Sequence, residues 1–157
     1  MAELTFAEAY RTHGFRIEIE GTSCQATKVT GLNEGHTDVI EMASGGDAIV
    51  RKISSGIVKF DNLVIERDMD GSPEDAFFQT WFAEMFQLTG ASHGSSVRRN
   101  GAVVKLEPIP GGGLTEAFRF GFVEGFVVSS KFADLEAKST NLFKQTVEIA
   151  HNGLHRL

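Results

Sequence analysis

The stretch of sequence that decides the fold class is residues 72–88, which read Ser72-Pro73-Glu74-Asp75-Ala76-Phe77-Phe78-Gln79-Thr80-Trp81-Phe82-Ala83-Glu84-Met85-Phe86-Gln87-Leu88. Ser72 can cap a helix, and Pro73 suits the first helical position. The two acidic residues that follow are favoured near a helix N-terminus, and Gly90 is typical of the region just past a helix end. The sequence therefore predicts one helix from Pro73 to about Leu88.

Apolar side chains cover two neighbouring stripes of this predicted helix. The first stripe consists of Phe77, Trp81, Met85 and Leu88. The second stripe consists of Phe78, Phe82 and Phe86. Together the two stripes are wider than a single contact face usually requires. We therefore expect the helix to pack on its own sheet and on something else as well.

Strands are predicted on both sides of the helix. Residues 15–19 alternate apolar with charged side chains, as a strand with one buried face does. In residues 57–67 the apolar phase shifts at Asp61-Asn62, which indicates either a β-bulge or a strand buried on both faces. The other candidate strands are residues 24–29, 36–42, 102–108, 118–128 and 143–149.

Strands and helices do not alternate regularly along the chain, so a doubly wound parallel sheet is disfavoured. The pattern predicts a mainly β fold, a barrel or sandwich of two packed antiparallel sheets with one flanking α-helix. The 157 residues fit a single domain, residues 1–157. Within it we expect residues 1–14 to form an N-terminal arm and residues 43–56 to form an exposed loop.

Composition disfavours several functional classes. The formal net charge of −6 argues against general binding to nucleic acid or to acidic membranes. The single cysteine, Cys24, can form no internal disulfide and is expected to be a small buried filler. No stretch approaches the roughly 20 apolar residues of a membrane helix, and the N-terminus lacks a signal-peptide pattern. We therefore expect no membrane insertion by this chain.

The sequence carries no active-site signature. The segment after Gly90 lacks the lysine of a phosphate-binding loop. His151 and His155 are four residues apart, but Gly153 lies between them, so a surface tail is expected rather than a metal-binding helix. Residues 68–71 resemble a fragment of a calcium loop that lacks the closing glutamate. We therefore expect no enzyme, no catalytic residue, no cofactor and no metal.

Six pieces of sequence stand in a definite order along the chain. They are Phe15-Arg16-Ile17-Glu18-Ile19 with Gly21, Lys28-Val29-Thr30-Gly31-Leu32, Ile40-Glu41 with Gly45-Gly46, Val50-Arg51-Lys52-Ile53 with Gly56, Trp81, and Val147-Glu148-Ile149-Ala150-His151-Asn152-Gly153-Leu154. In this order and spacing they resemble the tail tube protein family of contractile phages and phage-tail-like contractile injection systems. The resemblance runs from about Phe15 to Leu154, and its last piece is the most specific.

This resemblance implies a structural subunit that assembles with itself. Six copies would form a ring, and stacked rings would form a hollow inner tube. The implied partners are a sheath protein, baseplate and tube-terminating proteins, and cargo DNA or effector proteins in the lumen. The resemblance further implies assembly in the bacterial cytoplasm into a virion tail or an injection particle, which is released or docked at a membrane.

The resemblance also assigns the two unusual segments to contacts between copies. The exposed loop would reach the adjacent ring through Gly45, Gly46, Arg51, Lys52, Ile53 and Gly56. The helix would contact a neighbour within the ring through Phe77, Phe78, Trp81, Phe82, Met85 and Phe86.

Three other functions are compatible with the sequence. The tube-forming ring protein of type VI secretion has a related fold, although the closing piece at residues 147–154 favours the tail tube family. A small-ligand-binding β-barrel is the second alternative. A hydrolase whose site is assembled from distant residues is the third, although no motif indicates it.

Overall fold

The computed structural model describes residues 14–43, 45–46, 48–85 and 98–157. Within these ranges the chain forms ten strands and one helix. In chain order they are β1 (Phe15–Ile19), β2 (Thr22–Cys24), β3 (Lys28–Thr30), β4 (His36–Met42), β5 (Arg51–Lys59), β6 (Leu63–Asp68), α1 (Pro73–Met85), β7 (Arg99–Pro108), β8 (Leu114–Phe132), β9 (Lys144–Ala150) and β10 (Leu154–Arg156). The predicted mainly β fold of two antiparallel sheets with one helix is confirmed.

Two predicted features, the N-terminal arm and the end of the helix, lie largely outside the described residues. Of the N-terminal arm, residues 1–14, only Gly14 lies within the described residues. The expected helix end near Leu88 lies outside them, whereas the helix start at Pro73 is confirmed.

Eight strands form one large antiparallel sheet, and β4 and β5 form a separate hairpin. The order across the large sheet is β2-β1-β7-β8-β9-β6-β3, with β10 paired to β8. Strand β8 belongs to both halves of this sheet, because its first part pairs with β7 and residues 126–132 pair with β9. A single cluster of buried side chains contains residues of both halves, so the halves pack face to face.

Strand β8 bends at Glu124 and Gly125. Glu124 has a positive φ of 54°, and its amide donates a hydrogen bond to the side-chain oxygen of Asn100 over 3.0 Å. A Cβ atom on Gly125 would lie 2.7 Å from the ring of Phe122 and 3.0 Å from the carbonyl oxygen of Arg99. Only glycine fits such a close approach, and the bend lets one strand serve both halves of the sheet.

The core lies between the two halves and under the helix. In β6 and β9 burial alternates residue by residue, and the inward side chains are those of Leu63, Ile65, Val147 and Ile149. From the other half, β1 and β7 contribute Ile17, Ile19 and Val103. The alternation seen in residues 15–19 therefore corresponds to a strand with one face in the core.

The two edges of the large sheet are neighbours in the sequence. Edge strands β2 and β3 are separated only by residues 25–27, and Ala26 packs against the core. The amide of Thr27 donates to the carbonyl oxygen of Glu66 over 2.8 Å. Within the described residues β2 and β3 do not pair, so the fold is an open sandwich and not a closed barrel. The predicted single strand over residues 24–29 is wrong, because the chain crosses between the halves there.

The predicted strand over residues 57–67 is two strands in different sheets. Strand β5 ends at Lys59, and β6 begins at Leu63. The phase shift at Asp61-Asn62 is therefore neither a bulge nor a sign of burial on both faces. It marks the junction where the chain leaves the hairpin and enters the large sheet.

The C-terminal segment packs against the core, and the expectation of a surface tail is wrong. Strand β10 pairs with β8, and Leu154 is buried. His151 is also buried, with its ring centroid 5.8 Å from that of Phe60 and 6.1 Å from that of Phe122. Burial lowers the pKa of His151 below its ordinary value of 6.5.

Gly31 and Gly21 provide a matched test of the packing between β3 and β6. Both have a positive φ, but a Cβ on Gly31 would lie 2.1 Å from the carbonyl oxygen of Asn62, whereas a Cβ on Gly21 meets nothing within 4 Å. We expect Gly21→Ala to lower the free energy of unfolding by about 1 kcal/mol and Gly31→Ala to lower it by about 3 kcal/mol or more. Urea unfolding followed by circular dichroism measures both; equal losses would contradict the described contact.

His151 makes the stability of the fold depend on pH in a defined direction. Because its pKa is lowered in the folded state, the unfolded chain binds the proton more readily. Its contribution is fully present above the ordinary value of 6.5 and is lost as the pH falls below it. We expect the stability difference between wild type and His151→Gln to shrink from pH 8 to pH 5. Unfolding at both pH values measures this difference, and a constant or growing difference would refute the prediction.

Candidate self-association surfaces

The hairpin of β4 and β5 stands apart from the large sheet. Its strands pair antiparallel along their length, with a register shift after Thr37. Every residue of β4 is exposed, and in β5 only Ser55 is partly covered. A two-stranded hairpin is marginally stable by itself in water, so this one is expected to gain a partner.

Eight large apolar side chains are exposed on this hairpin and its turn. They are Val39, Ile40, Met42, Ile49, Val50, Ile53, Ile57 and Val58. The opposed pairs Ile40–Ile53 and Val39–Ser54 place apolar side chains on both faces of the hairpin. Within the described residues neither strand pairs with a third one, so both outer edges are free. Such a surface is typical of a protein–protein contact.

Polar contacts stiffen the hairpin near its base. The ammonium group of Lys59 donates to Asp38 over 2.7 Å, and this hydrogen bond lowers the pKa of the Asp38 carboxyl below its usual range. The hydroxyl of Thr37 lies 3.2 Å from that of Ser54 and 3.1 Å from that of Ser55. These contacts link the two strands of the hairpin near its base.

The residues that were assigned to an inter-ring contact all lie on this hairpin. Gly45 and Gly46 are in its turn, with open space around them. Strand β5 carries the other four, which are Arg51, Lys52, Ile53 and Gly56. From Arg51 onward the segment is a strand and not the expected loop, because its backbone pairs with β4.

Helix α1 is tied to the sheet by a buried polar network around Arg67. The side chain of Arg67 is 1% exposed and forms an ion pair with Asp75 in the first turn of the helix. Its guanidinium group also donates to Gln145 over 2.9 Å and lies over the ring of Phe78 at 5.1 Å. Gln145 in turn donates to Ser130 over 2.9 Å. No sequence pattern indicated this network, because its members come from four separate elements.

The described residues of both apolar stripes of α1 are largely covered by the chain itself. Three of the helix side chains are buried, namely Phe78, Trp81 and Phe82. Phe77 and Met85 are partly buried and pack against the same core. The guanidinium group of Arg99 lies 5.9 Å from the ring centroid of Phe77 and 5.8 Å from that of Trp81, and it pairs with Glu84 over 3.2 Å. Arg99 is the first residue of β7, so it covers part of the wide apolar arc from the subunit's own sheet, and the contact of the helix with something else stays a prediction.

Because of this packing, only some of the helix residues that were assigned to a contact within the ring keep surface that a neighbour can reach. Phe78, Trp81 and Phe82 support the helix from inside the subunit and present almost no surface. Phe77 and Met85 keep partly exposed surface. Phe86 lies outside the described residues.

A second exposed apolar surface lies between β8 and β9. Residues 133–143 join these strands, and the side chain of Leu135 is 84% exposed. Phe132 and Phe143 stack at the start and end of the segment, with ring centroids 5.8 Å apart. A depression in this surface is lined by residues that include Asp134, Leu135, Glu136, Ser139, Asn141 and Leu142. The sequence showed no clear period here, so pattern analysis missed this surface.

The outer face of β1 and β8 carries ion pairs instead. Arg16 and Arg119 each pair with both Glu18 and Glu116, at distances of 2.6 to 3.0 Å. Hydrogen bonding to Arg119 lowers the pKa of the Glu18 carboxyl. This closed cycle of charges distinguishes that face from the two apolar surfaces.

The described residues also bear on three other features: membrane-spanning helices, metal sites and the thiol of Cys24. Among the described residues no helix has the length and apolar character to cross a membrane. In the same part of the chain no three His, Cys, Asp or Glu side chains are placed to hold a metal ion. Cys24 is a buried free thiol, and burial raises its pKa to about 11. Its thiol is therefore protonated near neutral pH.

Three solved structures share this fold over nearly the whole chain. A chain in the cryo-EM structure of the anti-feeding prophage (AFP) baseplate matches with a TM-score of 0.76 and 16% identity, covering 97% of each chain. A chain in the sheath–tube complex of the extracellular contractile injection system PVC matches with a TM-score of 0.73 and 15% identity, covering 95% of this chain and 91% of the other. Hcp1 from Flavobacterium johnsoniae matches with a TM-score of 0.54 and 15% identity, covering 92% and 94%.

These likenesses define the class: the fold is one shared by chains of contractile injection particles and by Hcp1. The model of the T4-like virus tail tube protein gp19 family matches residues 11–155. The chain therefore belongs to the T4-like virus tail tube protein family, and the resemblance read from the sequence is confirmed. Comparison of the sequence with curated proteins gave no match.

The Arg67 network gives a test of how α1 is held. Replacing Arg67 by Met leaves the Asp75 carboxylate without its partner at a largely buried site, so we expect the free energy of unfolding to fall by about 3–5 kcal/mol. Lys59→Met removes an exposed ion pair and should change stability little, since exposed pairs contribute little. Thermal and urea unfolding of the two variants measure the contrast; similar losses in both would contradict it.

Proposed function

We propose that this chain is the structural subunit of the inner tube of a contractile phage tail or of a phage-tail-like injection particle. The observation that carries the proposal is the match of the tail tube family model to residues 11–155. The likeness in fold to chains of the AFP baseplate and PVC sheath–tube structures supports a place in such a particle. The subunit acts by assembly and not by catalysis.

Six copies of the subunit form one ring in this proposal. The number is favoured by the six-fold symmetry under which the related AFP baseplate structure was solved. Within the ring, Phe77 and Met85 of α1 contact the neighbouring copy, and the sequence assigns Phe86 to the same contact. Phe78, Trp81 and Phe82 hold the helix from inside the subunit, which fixes the position of the contact residues.

Rings stack through the β4–β5 hairpin. Its exposed apolar side chains lose their contact with water when the hairpin packs on the next ring. Complete burial of one such side chain contributes about 1.5–3 kcal/mol. Because six hairpins act together at each junction, modest burial per subunit is enough to hold two rings together. The residues assigned to this contact are Gly45, Gly46, Arg51, Lys52, Ile53 and Gly56.

The tube works with other components in this proposal. A sheath protein surrounds it, and baseplate and tube-terminating proteins close its two ends. DNA or effector proteins pass through the lumen as cargo. The formal net charge of −6 suits this role, since carboxylates facing a lumen repel nucleic-acid phosphates and prevent sticking. Rings assemble in the bacterial cytoplasm, and the finished particle is released or docked at a membrane.

A ring protein of type VI secretion is the second candidate. The likeness to Hcp1 over 92% of this chain favours it, although its TM-score of 0.54 is lower than the 0.76 for the AFP chain. Genes for a sheath and a baseplate beside the gene for this chain would favour the tail tube function.

Charge placed on the hairpin should block tube formation without unfolding the subunit. We expect Arg51→Asp, Lys52→Asp or Ile53→Asp to yield a folded protein that no longer polymerises, because an added carboxylate opposes burial of the hairpin. Negative-stain electron microscopy and sedimentation measure tube formation, and circular dichroism measures folding.

Gln79→Asp is the matched control for Ile53→Asp, since it also adds one negative charge, at an exposed position of α1. It should leave tubes of normal length. Normal tubes from the hairpin variants would reject the stacking role of the hairpin. A wild-type protein that stays strictly monomeric and binds a small ligand tightly would reject the tube function itself.

A further inference from the structure

We propose that residues 133–143, between β8 and β9, are the surface that receives the β4–β5 hairpin of a second copy of this chain in the next ring. The inference rests on the proposed tube function and adds the receiving side of the stacking contact. The hairpin and this receiving segment carry apolar side chains and charges of opposite sign. The hairpin leads into the start of β6, and the receiving segment ends beside the other end of β6.

The register of the large sheet establishes these opposite positions. The hairpin ends at Lys59, and three residues later the chain enters β6 at Leu63. At the other end of β6, Asp68 pairs with Lys144, the first residue of β9. The receiving segment ends there, and the amide of Met69 donates to the carbonyl oxygen of Phe143 over 2.9 Å. The points at which the two surfaces join the large sheet are therefore separated by the length of a six-residue strand, roughly 20 Å.

The turn end of the hairpin combines apolar surface with positive charge. Met42, Ile49 and Val50 are exposed beside Arg51 and Lys52. Within the described residues neither Arg51 nor Lys52 forms an ion pair. In the hairpin register Lys52 lies opposite Glu41, whereas Arg51 lies opposite the apolar Met42. The charge of Arg51 above all is therefore available to a partner that also offers apolar surface.

The receiving segment has the complementary composition. Its depression is lined by the exposed Leu135 and Leu142 together with Asp134 and Glu136. Neither carboxylate is in an ion pair with another described residue, and Lys138 is not part of the lining. The volume of the depression, about 340 Å³, is room for inserted side chains, since one water occupies only about 30 Å³. In the proposed contact, an apolar hairpin end that carries Arg51 and Lys52 therefore meets an apolar depression that carries Asp134 and Glu136.

Complementary surfaces at opposite ends of one subunit make a head-to-tail contact. Such a contact uses two different patches, so it leaves the same two patches free at the ends of any stack and can be repeated without limit. A two-fold contact of one patch with itself would close after two rings. The pairing of hairpin and receiving segment is thus the kind of contact that stacking requires.

Charge reversal on each side tests the pairing. Arg51→Glu/Lys52→Glu makes both surfaces acidic, and Asp134→Lys/Glu136→Lys makes both basic. Each variant alone should raise the protein concentration needed for tubes by at least about tenfold, because like charges meet at every junction. Mixed in equal amounts, the two variants should again form tubes near the wild-type concentration, since acidic and basic rings can alternate.

The measurement is sedimentation with electron microscopy of wild type, each variant and the mixture. A control chain carries Arg51→Glu/Lys52→Glu together with Gln79→Lys/Thr80→Lys, which adds two positive charges on the exposed side of α1 and should not restore tubes. Failure of the reversed pairs to complement each other would overturn the pairing. Normal tubes from Asp134→Lys/Glu136→Lys alone would also overturn it and would assign residues 133–143 to a different partner. The absence of rings and tubes from wild type would instead reject the tube function.

Discussion

The close approach of chain segments at the bend in β8 is the constraint on which the rest of the structure depends. Gly125 has no room for a side chain between Phe122 and the backbone of Arg99, and Glu124 accepts a positive φ beside it. Because the chain turns there, a single strand pairs with β7 in one half of the sheet and with β9 in the other. Without this bend the two halves could not face each other and enclose one core.

Once the halves face each other, they enclose one apolar core within the subunit. Helix α1 covers the core with Phe78 and Trp81. Arg67 forms an ion pair with Asp75 of the helix, and the guanidinium group of Arg99 lies over the ring of Trp81. Among the described residues, most of the large apolar side chains that stay exposed lie on the hairpin and on residues 133–143. A subunit that is complete inside and apolar at two separate places is suited to assembly, since association can bury those places without disturbing the fold.

The local sequence pattern correctly predicted strands in which buried and exposed side chains alternate, and it predicted the helix start from its capping residues. Alternation in residues 15–19 matches β1, and Ser72 with Pro73 marks the start of α1. The same analysis failed where neighbours along the chain belong to different layers. The break at residues 25–27 and the junction at Asp61-Asn62 are crossings between sheets, and a one-dimensional pattern does not distinguish a crossing from a bulge or a continuous strand.

The sequence by itself determined that this is a mainly β protein with one wide apolar helix, and its ordered motifs determined the tail tube family. Only the tertiary structure decided which apolar residues are used inside the subunit. Trp81 and Phe82 look as available as Ile53 in the sequence, yet the first two are buried and the third is exposed. The physical reason is that burial depends on which distant elements meet, as when Arg99 of β7 covers α1, and period and propensity report only the chain's immediate surroundings.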